Sequence, residues 1–224
     1  MAVNNLMKSF SSLLLFALAA TVADAQSAPV KTKVACVGDS ITQGVGAPGG
    51  KSYPDQLAGL LGESFEVRNF GNSGSTLLRT GDKPYEQQSQ YKAMLEMKAD
   101  VYVIKLGTND TKPHNWVKRG EFKPSGFALV DAIRGANRAA KIFLCLPVPA
   151  FPENFGITDE VIRTGVIPQL KEIAAEKKLG VIDLYTVLQG HPEMVPDKVH
   201  PNAAGYTLIS EAVRRAIAPG AGGK

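Results

Sequence analysis

Val101-Tyr102-Val103-Ile104-Lys105-Leu106 is apolar at every position but one, and Gly107-Thr108-Asn109-Asp110 follows it at once. An unbroken apolar run, rather than an alternating one, marks a strand buried on both faces, as in a parallel sheet. Ile142-Phe143-Leu144-Cys145-Leu146 reads the same way, within a run that extends to Val148. Working outward, Lys33–Gly38, Phe65–Phe70 and Gly180–Leu184 supply three further short strands. Between them, apolar residues recur at helical spacing over Tyr53–Leu61, Glu86–Lys98, Ser125–Ala139, Asp159–Lys178 and Ala203–Ile217. Pro168 lies inside the fourth of these and predicts a kink or break there. Gly74–Gln90 and Lys112–Pro124 are polar and irregular and read as long loops. Strictly alternating strand and helix implies a parallel sheet with helices on both faces.

The 224-residue length suits one domain, and 44% hydrophobic with 21% charged residues is globular composition. The formal net charge of +4 is scattered, without a block of Lys and Arg. Nothing in that distribution points to nucleic acid or to a membrane surface. Lys8, the apolar stretch Phe10–Val22 and the small-residue run Ala23-Asp24-Ala25 read as a signal peptide over residues 1–25, cut after Ala25. The stretch is too short to span a bilayer comfortably. The expectation is a secreted or periplasmic protein with one domain over 26–219 and a glycine-rich tail at 220–224.

Ligands of open parallel sheets bind beyond the carboxyl ends of the strands. Four polar segments fall there: Gly38-Asp39-Ser40, Asn69 to Gly74, Gly107-Thr108-Asn109-Asp110, and Asp197-Lys198-Val199-His200 just ahead of the last helix. These residue types suit acyl transfer. A serine hydroxyl such as Ser40 needs a base to take its proton, and His200 fits that part. Asp197, three residues earlier, can fix the imidazole tautomer and stabilise its charged form. The oxyanion of a tetrahedral intermediate needs donors, which the Ser40 N–H, the Gly74 N–H and the Asn109 amide can supply. Asp39 and Asp110 read as supports that bond backbone N–H groups in their own turns, in preference to a glycosidase carboxylate pair.

These four blocks, in this order along the chain, resemble the SGNH hydrolases, or GDSL esterase/lipase family. The resemblance implies a flavodoxin-like three-layer α/β/α fold with strand order 2-1-3-4-5, and ester hydrolysis without metal or organic cofactor. The first block reads GDSIT in place of GDSL, one apolar residue for another. GDSITQG, the polar loops and the leader are similar to carbohydrate O-acetylesterases of the family, the sialate and xylan acetylesterase types. The expected substrate is an acylated small molecule or glycan, and Arg79, Tyr85, Lys112, His114 and Trp116 are candidate sugar contacts. Trp116 reads equally as a packed loop anchor. Two alternatives stand beside this reading: a lysophospholipase or thioesterase with the same machinery, and an extracellular carbohydrate-binding module without activity. Cys36 and Cys145 would lie on strands that are not neighbours in the implied order, so both read as buried free thiols.

Two decoys lie in Gly44–Ser52. Gly44-Val-Gly46-Ala-Pro-Gly49 has the spacing of a dinucleotide-binding turn, but Pro48 sits where the helix should begin. The same stretch nearly matches a phosphate-binding loop, with five residues between the outer glycines where four are needed. It reads as a flexible turn into the Tyr53 helix. His191, in Gly-His-Pro, reads as a surface histidine, and Ser73 and Ser75 as hydrogen-bonded loop serines.

Overall fold

The computed structural model describes Met1 and residues 30–49, 51–152 and 154–219. Apart from Met1, the leader and the tail read from the sequence lie outside the described residues. Five parallel strands form one sheet: β1 (Thr32–Gly38), β2 (Phe65–Gly71), β3 (Val101–Lys105), β4 (Lys141–Leu146) and β5 (Gly180–Asp183). Their order is 2-1-3-4-5, as expected. Helices flank the sheet: α1 (Ser40–Gln43), α2 (Tyr53–Leu61), α3 (Ser89–Met97), α4 (Pro113–Trp116), α5 (Phe122–Ala136), α6 (Asp159–Val161), α7 (Ile167–Lys177), α8 (Leu184–Leu188) and α9 (Ala203–Ile217).

Strand periodicity sorts the core into two layers. Ala35 and Val37 of β1, Tyr102 and Ile104 of β3, and Ile142 and Leu144 of β4 pack with Met94 of α3, Leu129 and Ile133 of α5, and Leu170 and Ile173 of α7. Their alternates Val34, Cys36, Val101, Val103 and Cys145 pack with Leu57 of α2, Leu184 and Leu188 of α8, and Ile209 and Val213 of α9. β1 and β3 are thus apolar on both faces, which is why their sequences do not alternate. Cys36 and Cys145 are free and buried on one face, with β3 between their strands. Two strand spacings amount to about 10 Å, beyond the reach of a disulfide.

The structure departs from the sequence reading mainly in the loops. Lys112–Pro124 holds α4, a 3₁₀ turn at Arg119–Glu121 and the first residues of α5. Polar composition concealed these turns because only one side of each faces the core: Asn115 and Phe122 are buried while Lys118 and Glu121 are exposed. The helix read from Glu86 begins only at Ser89, because Gln88 is extended and Tyr85–Gln87 forms a 3₁₀ turn. α8 went unread because five residues are too few to show a period. The break at Pro168 is present as a π-helical turn over Ile162–Val166, after which α7 starts with the proline in its first turn. There the missing proline N–H costs nothing. Within the 44–52 stretch, Val45 and Ser52 are each pinned. Tyr206 Oη donates to the Val45 carbonyl at 2.7 Å, and Ser52 caps α2 through a capping box with Asp55.

Candidate active site

The turn that carries Ser40 follows β1 directly. Asp39 is the N-cap of α1, its carboxylate accepting from the Ile41 N–H at 3.0 Å. Ser40 is then the first helical residue, so its N–H is a donor without an intrahelical acceptor. Gly71, at the end of β2, fits beside this turn because it lacks a side chain. A Cβ there would collide with the Gln43 backbone.

At the far end of the chain, the turn before α9 brings Asp197 and His200 to Ser40. His200 Nε2 lies 2.9 Å from Ser40 Oγ, and His200 Nδ1 lies 2.6 Å from Asp197 Oδ2. The second Asp197 oxygen accepts from the Val199 N–H at 3.0 Å and from the His200 N–H at 2.6 Å. Burial pushes the Asp197 carboxyl up, but the donors from His200 and Val199 outweigh it and hold the group below the ordinary carboxylate range. A hydroxyl bonded to an imidazole whose other nitrogen faces a carboxylate is an arrangement that activates the hydroxyl as a nucleophile.

The other donors read from sequence converge from two loops. Asn72 N–H donates to the Gly38 carbonyl at 2.9 Å, which sets the 72–75 loop against the nucleophile turn. Asn109 Nδ2 donates to the Ser75 carbonyl at 3.2 Å, so one amide hydrogen orients the group and the second is left for another acceptor. Gly74 has φ +81°, a backbone region that suits glycine. Asp110 reaches further than its own turn. It accepts from the Leu77 and Leu78 N–H groups at 3.0 and 2.7 Å and so fixes the end of the glycine loop. Burial pushes the Asp110 carboxyl up to about 7, against the pull of those two donors.

Lys105 was missed, although it is the one charge in the run that announced β3. It is fully buried, with Nζ 3.0 Å from Asp39 Oδ2 and 2.6 Å from Thr108 Oγ1. Burial pulls its pKa down and the Asp39 carboxylate pushes it back up.

The candidate sugar contacts fare less well. Tyr85 is a core residue whose hydroxyl donates to the Phe70 carbonyl at 2.7 Å, so it is corrected from substrate contact to structural support. Trp116 packs edge-on against Phe122 and over Gly165, which favours the loop anchor. Arg79 pairs with Glu86 at 2.6 Å and lines a cleft with Thr80, Glu121 and Ser125 that contains none of Ser40, Asn109 or His200. Lys112 and His114 face Asp82, at 3.8 and 3.0 Å. His191 is at the surface with Glu193. Asn154-Phe155-Gly156, which the sequence reading passed over, lies against the acid–base turn, with Asn154 Nδ2 donating to the Asp197 carbonyl at 2.7 Å.

The fold and the hydrogen-bonded Ser-His-Asp line define an α/β/α hydrolase class. Residues 36–208 match the GDSL-like lipase/acylhydrolase family, and the chain belongs to it. It is 39% identical over 205 residues to an acetylxylan esterase of Xylanibacter ruminicola, covering 83% of this chain. The chain spans only 43% of that relative's length. Solved structures that share the fold include a carbohydrate acetylesterase from Sinorhizobium meliloti, with a TM-score of 0.66 and 21% identity over 84% of this chain and 99% of that one. An acetylxylan esterase from Geobacillus stearothermophilus gives a TM-score of 0.64 and 21% identity over 84% and 95%.

Removing Lys105 leaves the Asp39 carboxylate buried without a countercharge. Lys105→Met should therefore cost about 3–5 kcal/mol of folding free energy in urea unfolding, and Lys105→Met/Asp39→Asn should recover much of it. Equal losses in the single and double variants would show that the pair carries no such coupling.

Proposed function

We propose that this chain is a serine carboxylic ester hydrolase that removes acetyl groups from carbohydrate hydroxyls, with acetylated xylan the substrate favoured by its relatives. The observation that carries the reading is the unbroken hydrogen-bonded line from Ser40 Oγ through His200 to Asp197. Ser40 Oγ attacks the ester carbonyl as its proton passes to His200 Nε2. Asp197 holds the imidazole and stabilises the imidazolium. The oxyanion is met by the Ser40 and Gly74 N–H groups and by the Asn109 amide. Collapse releases the sugar hydroxyl, which takes the proton from His200. Water then repeats the sequence on the acetyl-serine, releasing acetate and restoring Ser40.

Hydrolysis of p-nitrophenyl acetate, butyrate and octanoate tests this reading. Activity should be highest on acetate, fall with chain length and be lost in Ser40→Ala. Preference for octanoate would indicate a lysophospholipase or thioesterase. Absence of Ser40-dependent cleavage of any of the three would leave a carbohydrate-binding module. Asn109→Ala should lower kcat by about 10²–10³ at similar KM, the cost of one oxyanion donor, and an unchanged kcat would remove Asn109 from that role.

The leader features at residues 1–25 support export to the periplasm or medium. Protein recovered from an exporting host should begin at Gln26 by N-terminal sequencing, and an intact Met1 would overturn this.

A further inference from the structure

Phe155 stands exposed beside His200. Its loop, between β4 and α6, is fixed on two sides. Asn154 is bonded to the Asp197 carbonyl, and the Phe151 N–H donates to the Lys198 carbonyl at 2.8 Å. On the other side, a Cβ on Gly156 would lie 3.6 Å from Pro113 Cδ and 3.9 Å from Lys112 Cγ. Held between these segments, Phe155 is still 57% exposed. Its ring centroid is 5.9 Å from that of His200, with the planes 54° apart. Its backbone has φ +55°, a region suited to glycine or asparagine and costly for a bulky side chain. The Phe155 N–H bonds to Asn154 Oδ1 at 2.9 Å, which helps to hold this conformation. A large apolar ring that is exposed, strained and beside the base is explained by contact with a ligand better than by packing.

We infer that Phe155 is the platform on which a pyranose ring of the substrate stacks its apolar C–H face while the ester carbonyl lies at Ser40. The inference rests on the acetylesterase reading and locates the sugar within it. A lipid chain would need a continuous apolar trough, whereas a single exposed ring beside His200 offers one flat contact. Asn154 and Lys112 already have partners in the Asp197 carbonyl and Asp82, so what this segment offers a sugar is the exposed Phe155 ring, which suits its flat C–H face.

The test compares peracetylated methyl β-xyloside with ethyl acetate, which carries the same acyl group and no ring. Phe155→Ala should raise KM for the xyloside about tenfold with kcat changed less than about twofold. It should leave kcat/KM for ethyl acetate within about twofold, and Phe155→Trp should restore KM to within about threefold. An equal loss on both esters would mean that Phe155 acts by holding the His200 turn, and would overturn the inference. So would an unchanged KM, or a wild-type protein that cleaves ethyl acetate but not the xyloside. A wild-type protein that cleaves neither ester would refute the esterase reading itself and this inference with it.

Discussion

A lysine ammonium sealed inside a parallel sheet is tolerable only if charge and hydrogen bonds surround it. Lys105 meets that condition by reaching two turns at once. Through Asp39 it touches the cap of the helix that Ser40 begins, and through Thr108 the residue that precedes Asn109. Asp110 continues the connection to Leu77 and Leu78, at the end of the glycine loop. Three segments that are far apart in sequence are therefore held by two buried polar clusters joined through the Thr108–Asp110 backbone at the carboxyl ends of β1 and β3. An apolar residue at position 105 would pack in this layer, but it could not tie the nucleophile turn to the asparagine turn.

The inner strands β1, β3 and β4 followed from continuous apolar runs, since strands buried on both faces leave little room for polar residues, and the strand order followed from the four-block resemblance. Ser40, Asn109, Asp197 and His200 could be singled out because each lies within a few residues of a strand end or helix start, on the edge of the sheet where the four blocks meet. The sugar contacts were not legible in the same way. Tyr85 and Trp116 were chosen as aromatics in polar stretches, yet those stretches fold into short helical turns that bury one side. Lys105 was visible as an anomaly in an apolar run but had no partner in sequence, because Asp39 lies 66 residues away. Phe155 carried no periodic signal. Its placement depends on a left-handed turn and on contacts with Asp197 and Lys198.

The two halves of the Ser-His-Asp line differ in how they are built. Acid and base occupy one tight turn, where the Asp197 carboxylate accepts the backbone N–H of the residue whose ring it orients. That pair is local and set by three residues of chain. The link from His200 to Ser40 is of the opposite kind, depending on the packing of α9 against α2 and on the turn at Gly46. A Cβ at Gly46 would run into the Pro201 carbonyl and press on His200.

The separation of 160 positions between Ser40 and His200 has a consequence for the life of the molecule. Closing so long a loop is entropically costly and is compensated only when the intervening strands have joined the sheet. A chain still emerging, or one whose last helix has not docked, carries Ser40 with no imidazole beside it. On the proposed reading, the base therefore reaches the serine only in the completed fold.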